Sequence, residues 1–151
     1  NRWKTREKGI EWRTIHTWDT QSMAEGYYVL RVVASDRRDN PDEAAMSASD
    51  ESHPFLVDHT PPPIELDEVS LDDGLLTVRG EASDGAGPVA AVEVAIDYGE
   101  WHPAFAEDGM FDFRRERFAL TLESVSRGEH SISVRAFDRA GNPSVVRELV
   151  K

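Results

Sequence analysis

The sequence predicts an all-β chain of two tandem antiparallel β-sandwiches. Three observations carry that prediction. A phrase is written twice at a constant spacing of 102 residues (128 minus 26), as GYYVLRVVASDRRDNP from Gly26 and GEHSISVRAFDRAGNP from Gly128. Within each copy apolar residues fall on every second position, the period of a strand with one face buried. Between the copies stand three consecutive prolines, Pro61-Pro62-Pro63.

The elements follow in chain order. In the first copy Tyr28, Leu30, Val32 and Ala34 share one strand face, and in the second His130, Ile132, Val134 and Ala136 do the same. Both copies are expected to bury that face against an opposing sheet. Gly26 or Gly128 opens each run, and Asp36…Asn40-Pro41 or Asp138…Asn142-Pro143 closes it with turn chemistry in which Asx side chains bond the local backbone. Residues 42–49 carry three Ala and a Met amid polar neighbours and read as a loop. A strand ending at Val57 meets the prolines, which donate no backbone hydrogen bond and lock φ, so pairing stops and a stiff connector follows. The expected division is therefore 1–60 and 61–151, the second unit being the size of one complete sandwich. Within it Leu75-x-Thr77-x-Arg79, Val92-x-Val94-x-Ile96 and Phe118-x-Leu120-x-Leu122 alternate, and Asp73-Gly74 and Asp108-Gly109 supply tight turns. No helical period of useful length occurs.

Composition narrows the function classes. A formal net charge of −12 repels a phosphate backbone, which argues against nucleic acid as a partner. No apolar stretch approaches the roughly 20 residues that span a bilayer, so membrane insertion is not expected. The absence of cysteine removes disulfides and thiolate metal sites, leaving packing to stabilise the fold. The chain begins Asn1-Arg2 without Met and reads as a piece of a longer protein.

Two phrases bear a family resemblance. Gly26-x-Tyr28-x-Leu30-x-Val32-x-Ala34-x-Asp36 resembles the penultimate strand of fibronectin type III domains, where a tyrosine near the strand start bonds back across a corner. Val57-Asp58-His59-Thr60-Pro61-Pro62 is similar to the phrase that joins tandem bacterial fibronectin III and Ig-like modules, with His59 in place of the usual Asn. Arg135-Ala136-Phe137-Asp138-Arg139-Ala140-Gly141-Asn142 resembles the end of bacterial Ig-like modules, and there His130 takes the corner-tyrosine place, which puts that corner bond in doubt. The resemblance implies an extracellular or cell-envelope setting and a spacing, docking or adhesive role. It also implies that the first unit lacks its N-terminal strands, since Gly9-Ile10-Glu11-Trp12 already looks like a mid-domain hairpin. The expected partner is then protein, another segment or chain supplying the remaining strands.

Candidate chemistry is sparse. Glu107-Asp108 with Asp112 could in principle supply an acid and a base, but adjacent acids before Gly109 read as a solvated turn. The five histidines form no two-His metal spacing, and no nucleophile elbow or phosphate loop occurs. No catalytic residue, cofactor or metal ligand is assigned, and an enzyme is not expected. Calcium is the more serious alternative: Asp58, Asp84 and Asp138 lie at strand ends that could meet near one pole, although closing turns through Asx bonds is the favoured role. Carbohydrate is the other alternative, through stacking on exposed indoles of Trp12 and Trp101, with Trp18 assigned to the core. Arg114-Arg115-Glu116-Arg117 is expected to neutralise nearby carboxylates on a solvated face.

Overall fold

Every regular element described by the computed structural model, which covers residue 17, residues 19–41 and residues 43–151, is a strand. Trp3, Trp12, Trp18 and His16 lie outside the described residues.

The first copy of the repeated phrase forms half of an interrupted antiparallel ribbon. β1 (Gly26–Tyr28) pairs with β4 (Phe55–Val57), and β2 (Arg31–Ser35) pairs with β3 (Ser47–Glu51). The register slips by one residue at Leu30, whose carbonyl accepts from Ser52 N at 2.8 Å while its amide donates to Ser52 Oγ at 3.0 Å. Residues 47–49 are thus strand rather than loop. Burial also departs from expectation: Val32 is 61% exposed and Val33 on the opposite face 63%. Alternation was present in the sequence, but β2 and β3 are exposed along their whole length, so neither face of that half of the ribbon is covered, whereas Val57 at the β1–β4 end is buried.

The second copy behaves as expected. β5 (Ile64–Asp72), β6 (Leu75–Ser83), β10 (Arg115–Leu122) and β9 (Phe105–Ala106) form one antiparallel sheet in the order β5-β6-β10-β9. β7 (Val89–Ile96), β8 (His102–Pro103), β11 (His130–Asp138) and β12 (Pro143–Val150) form another, in the order β12-β11-β7-β8. Leu76, Val78 and Phe118 of the first sheet share one buried cluster with Val92, Val94, Ile132 and Val134 of the second. Two sheets closing on a single core make a sandwich. Val134, the counterpart of Val32, is fully buried.

Local register explains which residues face in. On β6 the buried side is Leu76, Val78, Gly80 and Ala82, so Leu75, Thr77 and Arg79 form the outer face. On β5 a bulge at Asp67 shifts the inward set from Ile64 and Leu66 to Val69 and Leu71. A second irregularity, opposite Phe137 and Asp138, moves the buried side of β7 from Val89 to Val92 and Val94. Asp73 and Gly74 both take positive φ, 48° and 84°, as a two-residue hairpin turn of the twisted type demands.

Candidate functional site

The strand alternation that builds the core also aims three carboxylates. Asp138 ends β11 in phase with His130, Ile132, Val134 and Ala136, all buried. Asp84 stands in the next inward position after Ala82, immediately beyond β6, and Asp58 follows β4 directly. These strand ends meet at one pole: a carboxylate oxygen from each of Asp58, Asp84 and Asp138 lies within 4.8 Å of the other two. The residues are 6%, 8% and 3% exposed.

Each also closes a turn, as expected. Asp58 Oδ1 accepts from Thr60 N at 3.1 Å, and Asp84 Oδ1 accepts from Ala86 N at 2.5 Å and Gly87 N at 2.7 Å. Asp138 Oδ1 accepts from Asn142 N at 2.9 Å, and its Oδ2 from Asn142 Nδ2 at 2.7 Å. The turns do not satisfy the whole group: Asp58 Oδ2 and Asp84 Oδ2 are buried without a hydrogen-bond partner. A side chain at Gly87 would meet Leu56 Cδ2 at 3.3 Å and Asp58 Oδ2 at 3.9 Å, so glycine there lets the 84–88 loop approach the end of the ribbon. Burial, chiefly, and the nearby charges of Asp84, Asp138 and Glu25 push the Asp58 carboxyl above its ordinary range, against the opposing pull of the Thr60 amide.

The connector is held from both sides around this cluster. Upstream, Glu25 Oε1 accepts from His59 N at 3.0 Å and Thr60 Oγ1 at 2.7 Å. Downstream, Asn142 Nδ2 donates to Asp58 O at 3.1 Å, and Ser144 Oγ donates to Pro62 O.

The other sequence candidates disperse. Glu107 ion-pairs with Arg117 at 3.4 Å and Asp108 Oδ1 accepts from Met110 N, both on an exposed turn, while Asp112 offers its amide to Glu116. The arginine cluster neutralises carboxylates as expected: Arg115 meets Glu81 at 3.2 Å and Arg117 meets Asp67 at 2.8 Å. Trp101 is half-buried, with the Arg135 guanidinium 4.0 Å from its ring centre, beside a shallow groove of about 250 Å³ shared with Tyr98 and Arg147. Its suggested companion Trp12 lies outside the described residues. His130 does make the corner bond that was in doubt, through Nε2 to Ser126 O at 2.8 Å. Asp84 and Asp138 were findable from sequence, because an Asp in phase with a buried strand face is displaced from its usual place in water.

No protein-family model matches the chain, and no curated protein does. Among solved structures, it is similar to the fibronectin(III)-like modules of CbhA from Clostridium thermocellum, with 24% identity over 84% of this chain and 61% of that one, at a TM-score of 0.45. It is also similar to part of the sulfane dehydrogenase SoxCD from Paracoccus pantotrophus, with 28% identity, TM-score 0.41, and 47% of this chain against 18% of that one. An engineered protein matches at 16% identity and a TM-score of 0.42, over 62% of this chain and 20% of its own. The chain thus spans about a fifth of two of these structures and less than two thirds of the third. No helix among the described residues is long and apolar enough to cross a membrane.

Proposed function

We propose that the chain is a non-enzymatic spacer and docking module of a larger secreted or envelope protein, two units in tandem that hold neighbouring parts at a set separation. The observation that carries this reading is the connector. Residues 58–62 are stiffened by proline and hydrogen-bonded both to Glu25 before β1 and to Asn142 and Ser144 at the start of the last strand. A spacer transmits orientation only if its joint is stiffer than its surroundings, and this joint is bonded on both sides. The uncovered faces of Val32 and Val33 support the docking half of the reading, the partner being polypeptide that lays a sheet on the ribbon.

The test is ¹⁵N relaxation of the whole chain, comparing amides of 26–57 with those of 64–150. Co-tumbling of the two sets is expected. Separate rotational correlation times, with the ribbon reorienting independently of the sandwich, would overturn the reading.

A further inference from the structure

We propose that Asp58, Asp84 and Asp138 form a calcium site that ties the end of the first ribbon to one pole of the sandwich. The inference goes beyond the spacer reading, which stands on a hydrogen-bonded joint alone.

Geometry permits it. Oxygen ligands lie about 2.3–2.6 Å from a calcium ion, so any two of them are separated by at most about 5 Å. Three carboxylate oxygens all within 4.8 Å of one another fit a single such shell. The donors are oxygen only, which selects a hard cation over zinc or copper. Magnesium needs a tighter octahedron and keeps several waters, whereas these residues are each more than nine-tenths buried.

The unsatisfied atoms point the same way, independently of the clustering. Asp58 Oδ2 and Asp84 Oδ2 are buried with no hydrogen-bond partner, and buried polar groups are ordinarily paired. Among the described residues no Lys, Arg or His forms an ion pair with any of the three, although Arg31, Arg79, Arg115, Arg117 and Arg135 all pair with other carboxylates. A turn needs one oxygen per Asp, and each Oδ1 already serves its turn. A divalent ion would partner the remaining oxygens and offset the mutual repulsion of like charges held this close.

The experiment is isothermal titration of the whole chain with CaCl₂ and separately with MgCl₂, with thermal melts in EDTA and in calcium. One calcium per chain is expected, bound at least about tenfold tighter than magnesium, with a melting temperature raised by roughly 5 °C or more at saturation. Asp58→Asn keeps the Oδ1 acceptor for Thr60 and should lose at least about tenfold in calcium affinity together with the calcium-dependent rise in melting temperature. Asp84→Asn is the second variant should the first fail to fold, and the wild-type titration decides regardless of both. No binding heat and no shift at about 10 mM calcium would overturn the site, as would an equal shift in the Asn variants, which would place calcium elsewhere on an acidic surface. Relaxation measured in EDTA separates the two proposals: co-tumbling without calcium binding would leave the spacer and remove the ion.

Discussion

His130 does in the second copy what Tyr28 does in the first. The Tyr28 hydroxyl donates to Ala24 O at 2.6 Å and His130 Nε2 to Ser126 O at 2.8 Å, each four residues back, so the corner survives a change of side chain. The substitution adds what tyrosine lacks. His130 Nδ1 lies 2.6 Å from Asp97 Oδ2, so both ring nitrogens face acceptors and the imidazolium, with two N–H groups, fits the site. The Asp97 bond, then the Ser126 carbonyl, raise the His130 pKa above its ordinary value, and the His130 bond chiefly lowers that of Asp97.

The sign of the pH dependence follows. A histidine with a raised folded-state pKa contributes fully below its unfolded value of about 6.5, and the contribution fades as pH climbs through the higher folded value. Asp97 contributes above about pH 3.9 and loses its effect as pH falls through its depressed value. The stability difference between the wild type and His130→Tyr should therefore be largest from about pH 4 to 6.5 and shrink as pH rises further. Thermal melts of both proteins from pH 4 to 9 check this. A difference that stays constant across that range would show that the ring is neutral in the fold.

The two copies should respond differently to the same truncation. Val134 is fully buried between sheets, so Val134→Ala loses the transfer energy of two methyl groups and leaves a cavity, a cost of roughly 2–3 kcal/mol. Val32 is 61% exposed, and Val32→Ala should stay within about 0.5 kcal/mol. Chemical denaturation of the pair measures both. Equal costs would mean that the first ribbon carries a covered face after all.

That asymmetry marks where sequence patterning stops being informative. Alternation at Tyr28, Leu30 and Val32 reports that a strand could bury one face, but burial needs an opposing sheet, and nothing in a local pattern says whether one is present. The same pattern at Ile132, Val134 and Ala136 succeeds because the sheet that carries Leu76, Val78 and Phe118 closes on the same core. The outer face of β6 was ambiguous for a related reason: Leu75-Leu76-Thr77-Val78 carries apolar or β-branched residues on both faces, and only pairing with β5 and β10 decides that Leu76 and Val78 turn inward. The site was half legible. Turn closure by Asp58, Asp84 and Asp138 follows from Asx chemistry, whereas their convergence depends on three strand ends separated by 26 and 54 residues along the chain (84 minus 58; 138 minus 84). The corner bond at His130 was doubted because a hydroxyl was expected, yet the geometry requires only a donor four residues from the carbonyl.

Gly80 is fixed by contact rather than by conformation. A Cβ there would lie 2.3 Å from Glu65 O and 2.9 Å from Phe118 Cζ, a backbone atom and the ring of a fully buried phenylalanine. Neither can yield without moving β5 or repacking the core. Gly80→Ala should cost about 1–3 kcal/mol, despite the general gain in strand propensity on leaving glycine. Equilibrium unfolding decides it, and a neutral or stabilising result would mean that β5 and β6 approach each other less closely than the structure has them.

The joint offers the sharpest comparison between equivalent residues. Asn142 donates through Nδ2 to Asp58 O and to Asp138 Oδ2, while its amide bonds Asp138 Oδ1. Asn40, its counterpart in the first copy, repeats the turn through a backbone bond to Asp36 O at 3.1 Å but is exposed, and its side chain makes no hydrogen bond among the described residues. Asn142→Ala leaves a part-buried carboxylate and the connector carbonyl each short of a donor, at a cost of about 1.5–3 kcal/mol, whereas Asn40→Ala should stay within about 0.5 kcal/mol. Asn142→Asp in EDTA should cost more than the alanine change, because it adds a fourth carboxylate to a buried cluster that already has three. Denaturation curves for the three variants, with hydrogen exchange at the Thr60 amide as a local probe, test this order. If Asn40→Ala proves as costly as Asn142→Ala, the bond to Asp58 is not what stabilises the joint.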